Sequence, residues 1–283
     1  MTIYISTGGF KTSKADEVAI NFLKNGINTI ELSGTCYHPN LLNNLSNLKD
    51  KIDFQIHNYF PPHKVPFVLN IASEDKEISK LTLDHIDYAL ESCQKLNSKF
   101  YSFHAGFLCD IKTSELGKKI KKKLLQDRSK SIDLFLERIL KISNKAKNLG
   151  IEIMIENNVL SKNNLIEFET NPLLMCDLDE CNFIINNSPQ NVKLLLDVAH
   201  LKVSSNSLKF DPVNFLKNCN SILGGYHLSD NDGFSDSNEP FNEKSWFWDF
   251  IRKDLNYYSI EVYNQNEEQI NLLKKLTEKK LKK

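Results

Sequence analysis

The sequence predicts a single (β/α)8 barrel occupying residues 1–283, and three observations predict it. Eight short β-rich runs alternate with longer amphipathic stretches from one end of the chain to the other. No linker rich in Pro, Gly or Ser divides the chain, and no repeat of solenoid length is visible. The length suits one large core, because barrels of this class run to about 250 residues or more as one domain.

The β-runs are IYIS from Ile3, NTIELS from Asn28, DFQIHN from Asp53, KFYSFHAG from Lys99, IEIMIENN from Ile151, VKLLLDVAH from Val192, ILGGYHLSD from Ile222 and YYSIEVYN from Tyr257. Between them lie stretches such as ADEVAINFLKN, EISKLTLDHIDYALESCQKL and SIDLFLERILKISNKAKNLG, whose apolar residues recur every three and four positions as on one face of a helix. Gly26 and Gly150 each precede Ile and a β-run, the place of a helix-terminating glycine. Eight such units predict closure into a barrel, each strand followed by a helix.

Side-chain alternation then sorts each strand into two faces. Ile151, Ile153 and Ile155 form a row that faces helices, so Glu152, Met154 and Glu156 point inward, with Glu156 nearest the C-terminal mouth. Val192, Leu194 and Leu196 likewise leave Lys193, Leu195 and Asp197 inside, and Glu152 is placed to pair with Lys193 near the barrel floor. The same rule puts His57, His104, His227 and Glu261 inward on the third, fourth, seventh and eighth strands. Six consecutive strands thus each deliver one ionisable residue at the C-terminal end, where barrel enzymes build their active sites.

A single inward His or Glu is ordinarily a hydrogen-bonded structural residue. Several converging carboxylates are different, because burying them without a cation is costly while a divalent ion turns their repulsion into ligation. Glu156, Asp197, His227 and Glu261 offer three carboxylates and one imidazole, a set suited to Mn, Zn, Mg or Co. His200, in Asp-Val-Ala-His, reaches the same pocket from the strand end as a substrate contact or else stays an ordinary loop histidine. With a substrate hydroxyl and carbonyl on the ion, a developing enediolate is stabilised and a carboxylate suffices as base, Glu156 and Glu261 being the candidates. Asn157, Asn158 and Lys202 flank the ring as candidate substrate contacts.

The charge balance, 36 basic against 36 acidic residues, gives no global attraction to nucleic acid and leaves room only for a local basic patch. One such patch is GKKIKKK near Lys118, either a solvated helix face or an attractor for phosphate; SWFW from Ser245 to Trp248 reads as core packing or a lid over a sugar. Six cysteines without a CxxC pair, no leader pattern and no run of ~20 apolar residues lead to the expectation of a cytoplasmic protein with reduced thiols and no membrane partner. Whether the chain forms a homo-oligomer is open.

At Glu156, Asp197, His200, His227 and Glu261 the chain resembles the xylose isomerase-like TIM-barrel superfamily, which includes sugar epimerases and isomerases, hydroxypyruvate isomerases and endonuclease IV. IENN, LLLDVAHLKVS and HLSDNDG are most similar to its sugar phosphate isomerase/epimerase-like members. The resemblance implies one metal held by Glu156, Asp197, His227 and Glu261, His200 on substrate, and a sugar or sugar phosphate isomerised or epimerised by proton transfer. The segment from His57 through NYFPPHKVPFVLNIASEDKEISKL to YSFHAGF also resembles the endonuclease IV branch, a zinc phosphodiesterase acting on abasic DNA. That resemblance implies that His57 and His104 hold a second metal with Glu156, or contact substrate. The acidic loop HLSDNDGFSDSNEPF reads Asp236-Ser-Asn238 where that branch has an Asp-x-His pair, so Asp236 is kept as a substrate-binding candidate and a trinuclear centre is not expected.

Overall fold

A computed structural model describes residues 1–10 and 12–282; Lys11 and Lys283, inside the expected 1–283 unit, lie outside the described residues. In chain order the elements are β1 (Thr2–Ser6), α1 (Ala15–Lys24), β2 (Thr29–Leu32), α2 (Leu41–Ser46), β3 (Asp53–His57), α3 (Lys76–Leu96), β4 (Phe100–His104), α4 (Arg128–Asn148) and β5 (Glu152–Glu156). There follow α5 (Lys162–Phe168), α6 (Leu178–Asn186), β6 (Val192–Asp197), α7 (Val198–Leu208), α8 (Pro212–Asn218), β7 (Leu223–Leu228), β8 (Tyr257–Ile260) and α9 (Glu267–Leu281). Every strand pairs in parallel with the next, and β1 pairs with β8, so the sheet closes as a barrel. All eight expected strands are present.

Local chemistry sets the helix ends. Asp75 and Asp127 accept backbone N–H bonds at the starts of α3 and α4, satisfying donors that a helix leaves unpaired. Gly26 and Gly150 have φ of +79° and +70°, as the terminating role requires.

The alternation of faces also holds. Ile153, Ile155, Leu194 and Leu196 are buried with the helices in the main apolar cluster. Met154 and Leu195 instead meet Tyr4 and Tyr257 in a separate cluster inside the barrel, which fills the space below the C-terminal mouth. In the β5–β6 register Lys193 stands opposite Met154, and Glu152 and Lys193 form no ion pair among the described residues, correcting the expected floor contact. Glu152 is exposed, so solvation by water competes with pairing there.

The expected alternation fails at one connection: between β7 and β8 there is no α-helix among the described residues. Aromatic side chains replace it. Phe241, Phe247 and Trp248 are buried and pack on one another, Phe247 and Trp248 with ring centroids 4.7 Å apart. SWFW is therefore core packing. The GKKIKKK run departs from a helix face as well, lying in the irregular β4–α4 connection. Lys119 and Lys122 pair with Glu167 and Glu169, and Lys123 with Glu115, so much of its charge is already matched.

The chain after β3 is tied to the chain after β4 by Asn70. Its Oδ1 accepts from the N–H groups of Ala72 and Phe107, and its Nδ2 donates to the Phe107 carbonyl and Asp110 Oδ1. Asn70→Ala leaves two backbone donors without their acceptor at a position 1% exposed. The expected loss is about 2–4 kcal/mol of stability, checked by urea unfolding with an unchanged denaturant slope.

Candidate metal centre

Strand register brings the site together. His104 lies opposite Glu156 in the β4–β5 pairing, and Asp197 opposite His227 in the β6–β7 pairing. Glu261 falls one residue past β8, yet its N–H donates to the Leu228 carbonyl and continues the ladder, so its inward direction is kept.

His227 Nδ1 stands 3.1 Å from Glu156 Oε1, 3.1 Å from Glu261 Oε2 and 3.9 Å from Asp197 Oδ2. His57 Nε2 and His104 Nδ1 approach the other oxygen of Glu156 at 3.4 and 3.5 Å. Donor atoms of His57, Glu156, His227 and Glu261 lie within 4.8 Å of one another, as do those of His104, Glu156 and His200. Glu156 belongs to both groups.

Asp197 has two duties. It is the N-cap of α7, its Oδ1 accepting from the His200 N–H at 2.7 Å, and this leaves Oδ2 turned to the site. His200 Nδ1 donates to the Asn157 carbonyl, which sends Nε2 toward Asp236 Oδ2 at 3.4 Å. Asp236 therefore joins the ring through His200.

Three expected substrate contacts are already committed elsewhere. Asn157 binds the backbone of Asp197 with both ends of its amide, accepting from its N–H and donating to its carbonyl, and so holds that carboxylate in place. Lys202 donates to Asp230 Oδ1 at 2.7 Å and to the Asn231 carbonyl, fastening the β7–β8 connection. Asn158 spans the carbonyls of Gly106 and Leu174. Asn238 donates to the Glu261 carbonyl, so the position that would complete an Asp-x-His pair is a structural clamp.

The electrostatics follow from burial and neighbours. Burial alone would raise the Glu156 carboxyl, but His104, His227 and His57 together hold it well below the usual carboxylate range. Burial would lower His227; the Glu31 and Glu156 charges overcome it and hold the imidazole well above its ordinary value. For Asp197 burial dominates, with Glu156 adding repulsion against the pull of His200, and the carboxyl is pushed up to about 7. Burial brings His104 down to about 4.

The donor set fits a divalent cation. Glu156 Oε2, Asp197 Oδ2, His104 Nδ1 and Asp236 Oδ1 are buried without a hydrogen-bond partner, and all four belong to the ring. Unpaired buried acceptors of this kind are rare in folded proteins, and an ion bound among them would satisfy several at once. Mixed carboxylate and imidazole ligation suits Zn, Mn, Mg or Co better than a soft metal.

Four contributors escaped the sequence reading: Glu31, Ser102, Tyr257 and Gly8. Glu31 is fully buried on β2 and accepts from His227 Nε2 at 2.8 Å. Its signal was present, since Ile30 and Leu32 face the helices and leave Glu31 inside. Gly8 lies where a Cβ would come within 2.5 Å of Glu261 Oε1. A carboxylate end can swing away at little cost in stability. Gly8→Ala is therefore expected to change the melting temperature by no more than a few degrees while weakening divalent-ion binding at least several-fold, checked by calorimetric titration.

A family model described as xylose isomerase-like TIM barrel matches residues 21–278. The chain belongs to that family. Several solved structures are similar to the chain in fold. A D-tagatose 3-epimerase-like protein is 20% identical with a TM-score of 0.71, over 98% of this chain and 97% of its own. The IolI protein with a bound zinc atom is 15% identical with a TM-score of 0.71, over 99% and 98%. D-psicose 3-epimerase from Clostridium cellulolyticum H10, with D-tagatose, is 16% identical with a TM-score of 0.67, over 99% and 94%. At these identities the likeness establishes the shared barrel. No curated protein sequence matches the chain.

Proposed function

We propose that this protein is a divalent-metal-dependent isomerase or epimerase of a sugar or sugar phosphate, with Glu156, Asp197, His227 and Glu261 as the metal ligands. The observation that carries the reading is the convergence of three carboxylates on His227 Nδ1 within 3.9 Å, with buried oxygens of Glu156 and Asp197 left unpaired. An ion held there would polarise a substrate carbonyl and make the neighbouring C–H bond more acidic.

The protein's own groups then supply the proton chemistry. Glu156 and Glu261 come from opposite ends of the β5–β8 arc, so a substrate lying over the ring would meet one carboxylate from each side. One accepts the proton from the carbon beside the carbonyl as the C–H electron pair moves toward the carbonyl. The other returns a proton to the opposite face, giving epimerisation, or one proton is returned at the neighbouring carbon, giving isomerisation. His200 and Asp236 line the same mouth and are placed to hold a hydroxyl.

The structural neighbours named as sugar 3-epimerases support this choice of substrate class. The test is to incubate metal-loaded protein with ketohexoses and their phosphates in D2O. Deuterium is expected at the carbon beside the carbonyl; a panel without any exchange overturns the proposal.

The sharing of Glu156 by two donor groups favours a second reading, a two-metal phosphodiesterase in which His104 and His200 serve a further ion with Glu156. Nicking of an abasic duplex with two or more zinc ions per chain would select it. One ion per chain with no nicking would remove it.

A further inference from the structure

Directly below the ring the barrel holds a second polar layer that the proposed chemistry does not use. It consists of Glu31 from β2, Ser102 from β4 and Tyr257 from β8, each 0% exposed. The Tyr257 hydroxyl donates to Glu31 Oε2, and the same oxygen accepts from His227 Nε2. Ser102 is hydrogen-bonded to Tyr257, and its Oγ stands 2.9 Å from His57 Nδ1.

The proton directions in this layer are determined by counting donors. An ionised carboxylate only accepts, so Glu31 receives both the Tyr257 hydroxyl and His227 Nε2–H. A phenol has one proton. With that proton on Glu31, Tyr257 accepts from Ser102, and the Ser102 oxygen accepts in turn from His57 Nδ1–H. The chain runs from His57 through Ser102 and Tyr257 to Glu31, and from the other side from His227 to Glu31. It joins residues as far as 226 positions apart in sequence.

We infer that Glu31 is a positioning residue that sets the ring-nitrogen roles of two histidines at once, His227 directly and His57 through Tyr257 and Ser102. His227 Nδ1 is thereby left to the space between Glu156 and Glu261, and His57 Nε2 to the free oxygen of Glu156. The two histidines present opposite nitrogens because a single anion lies beneath them. Mere packing would not call for that charge. Both bonds end on Glu31 Oε2 while Oε1 is buried without a partner, so a carboxylate stands where a neutral amide would also accept both. A carboxylate behind a ligating imidazole orients it and raises its basicity, a role whose loss costs about 10–100-fold in metal affinity.

This inference rests on the metal reading above, and the test separates the two. Zinc affinity is measured by chelator competition, and the ring N–H protons are followed by NMR of 15N-histidine-labelled protein with and without zinc. The wild type is expected to show slowly exchanging protons on His57 Nδ1 and His227 Nε2. Glu31→Gln, which keeps an oxygen acceptor, should fold normally and bind zinc about 10–100-fold more weakly. Ser102→Ala should release the His57 proton alone, and Tyr257→Phe should speed its exchange while sparing that of His227. Glu31→Gln with wild-type zinc affinity and unchanged ring protons overturns the inference, as does a wild-type His57 protonated on Nε2. A wild type that shows both ring protons but binds no divalent ion upholds the relay and refutes the metal reading instead.

Discussion

Glu156→Gln is expected to lower turnover by about 10²–10⁴-fold, the range for removing a positioned general acid or base, and to deplete bound metal as well. No other side chain in the ring is shared by both groups of donors, and one of its oxygens is buried without a hydrogen-bond partner. The amide keeps the shape and loses the charge, so the effect on folding should be small beside the effect on the site. Glu261→Gln should match it in turnover and lose less metal, because Glu261 belongs to one donor group only. The readouts are deuterium exchange into substrate and metal analysis of the purified variants. Full exchange with full metal in both variants would show that the chemistry lies elsewhere.

The second large effect is on stability. Glu31, Glu156, Asp197, Asp236 and Glu261 crowd one end of the barrel, with the imidazoles of His57, His104, His200 and His227 among them. An ion that binds only the folded chain stabilises it by about 4 kcal/mol at a thousand times its dissociation constant. For a domain of this size that corresponds to a rise in melting temperature of roughly 8–16 °C. The rise should follow zinc or manganese concentration and be reversed by chelator. A melting temperature indifferent to every divalent ion tested would argue that the carboxylates are held by the histidines alone.

Much of this site was legible because alternation along a strand is local. Rows such as Ile153 and Ile155, or Leu194 and Leu196, reveal the inward face without knowledge of any partner strand. That reasoning placed His57, His104, Glu156, Asp197, His227 and Glu261 inside the mouth, and all six converge there. The same reasoning applied to Ile30 and Leu32 points to Glu31. It was missed because alternation separates inside from outside and says nothing of height along the barrel axis, which depends on the stagger between strands.

Flanking residues were less legible. Asn157 and Lys202 sit beside ring residues in sequence and look available, yet their polar ends are taken by the Asp197 backbone and by Asp230 with Asn231. A flexible or amide side chain is committed by whatever lies nearest in space. The β7–β8 connection is a similar case, where buried aromatics take the place of the expected helix by covering the apolar backs of the strands.

The sequence by itself determined the barrel, the order of its strands and the inward set of ionisable residues, since strand period and helix period are properties of neighbouring residues. Only the tertiary structure decided which nitrogen of His227 and of His57 faces Glu156, which oxygen of Asp197 is left over by the helix cap, and that Glu31 lies under both histidines. Those choices depend on hydrogen bonds between strands far apart in the chain, and such bonds exist only once the barrel has closed.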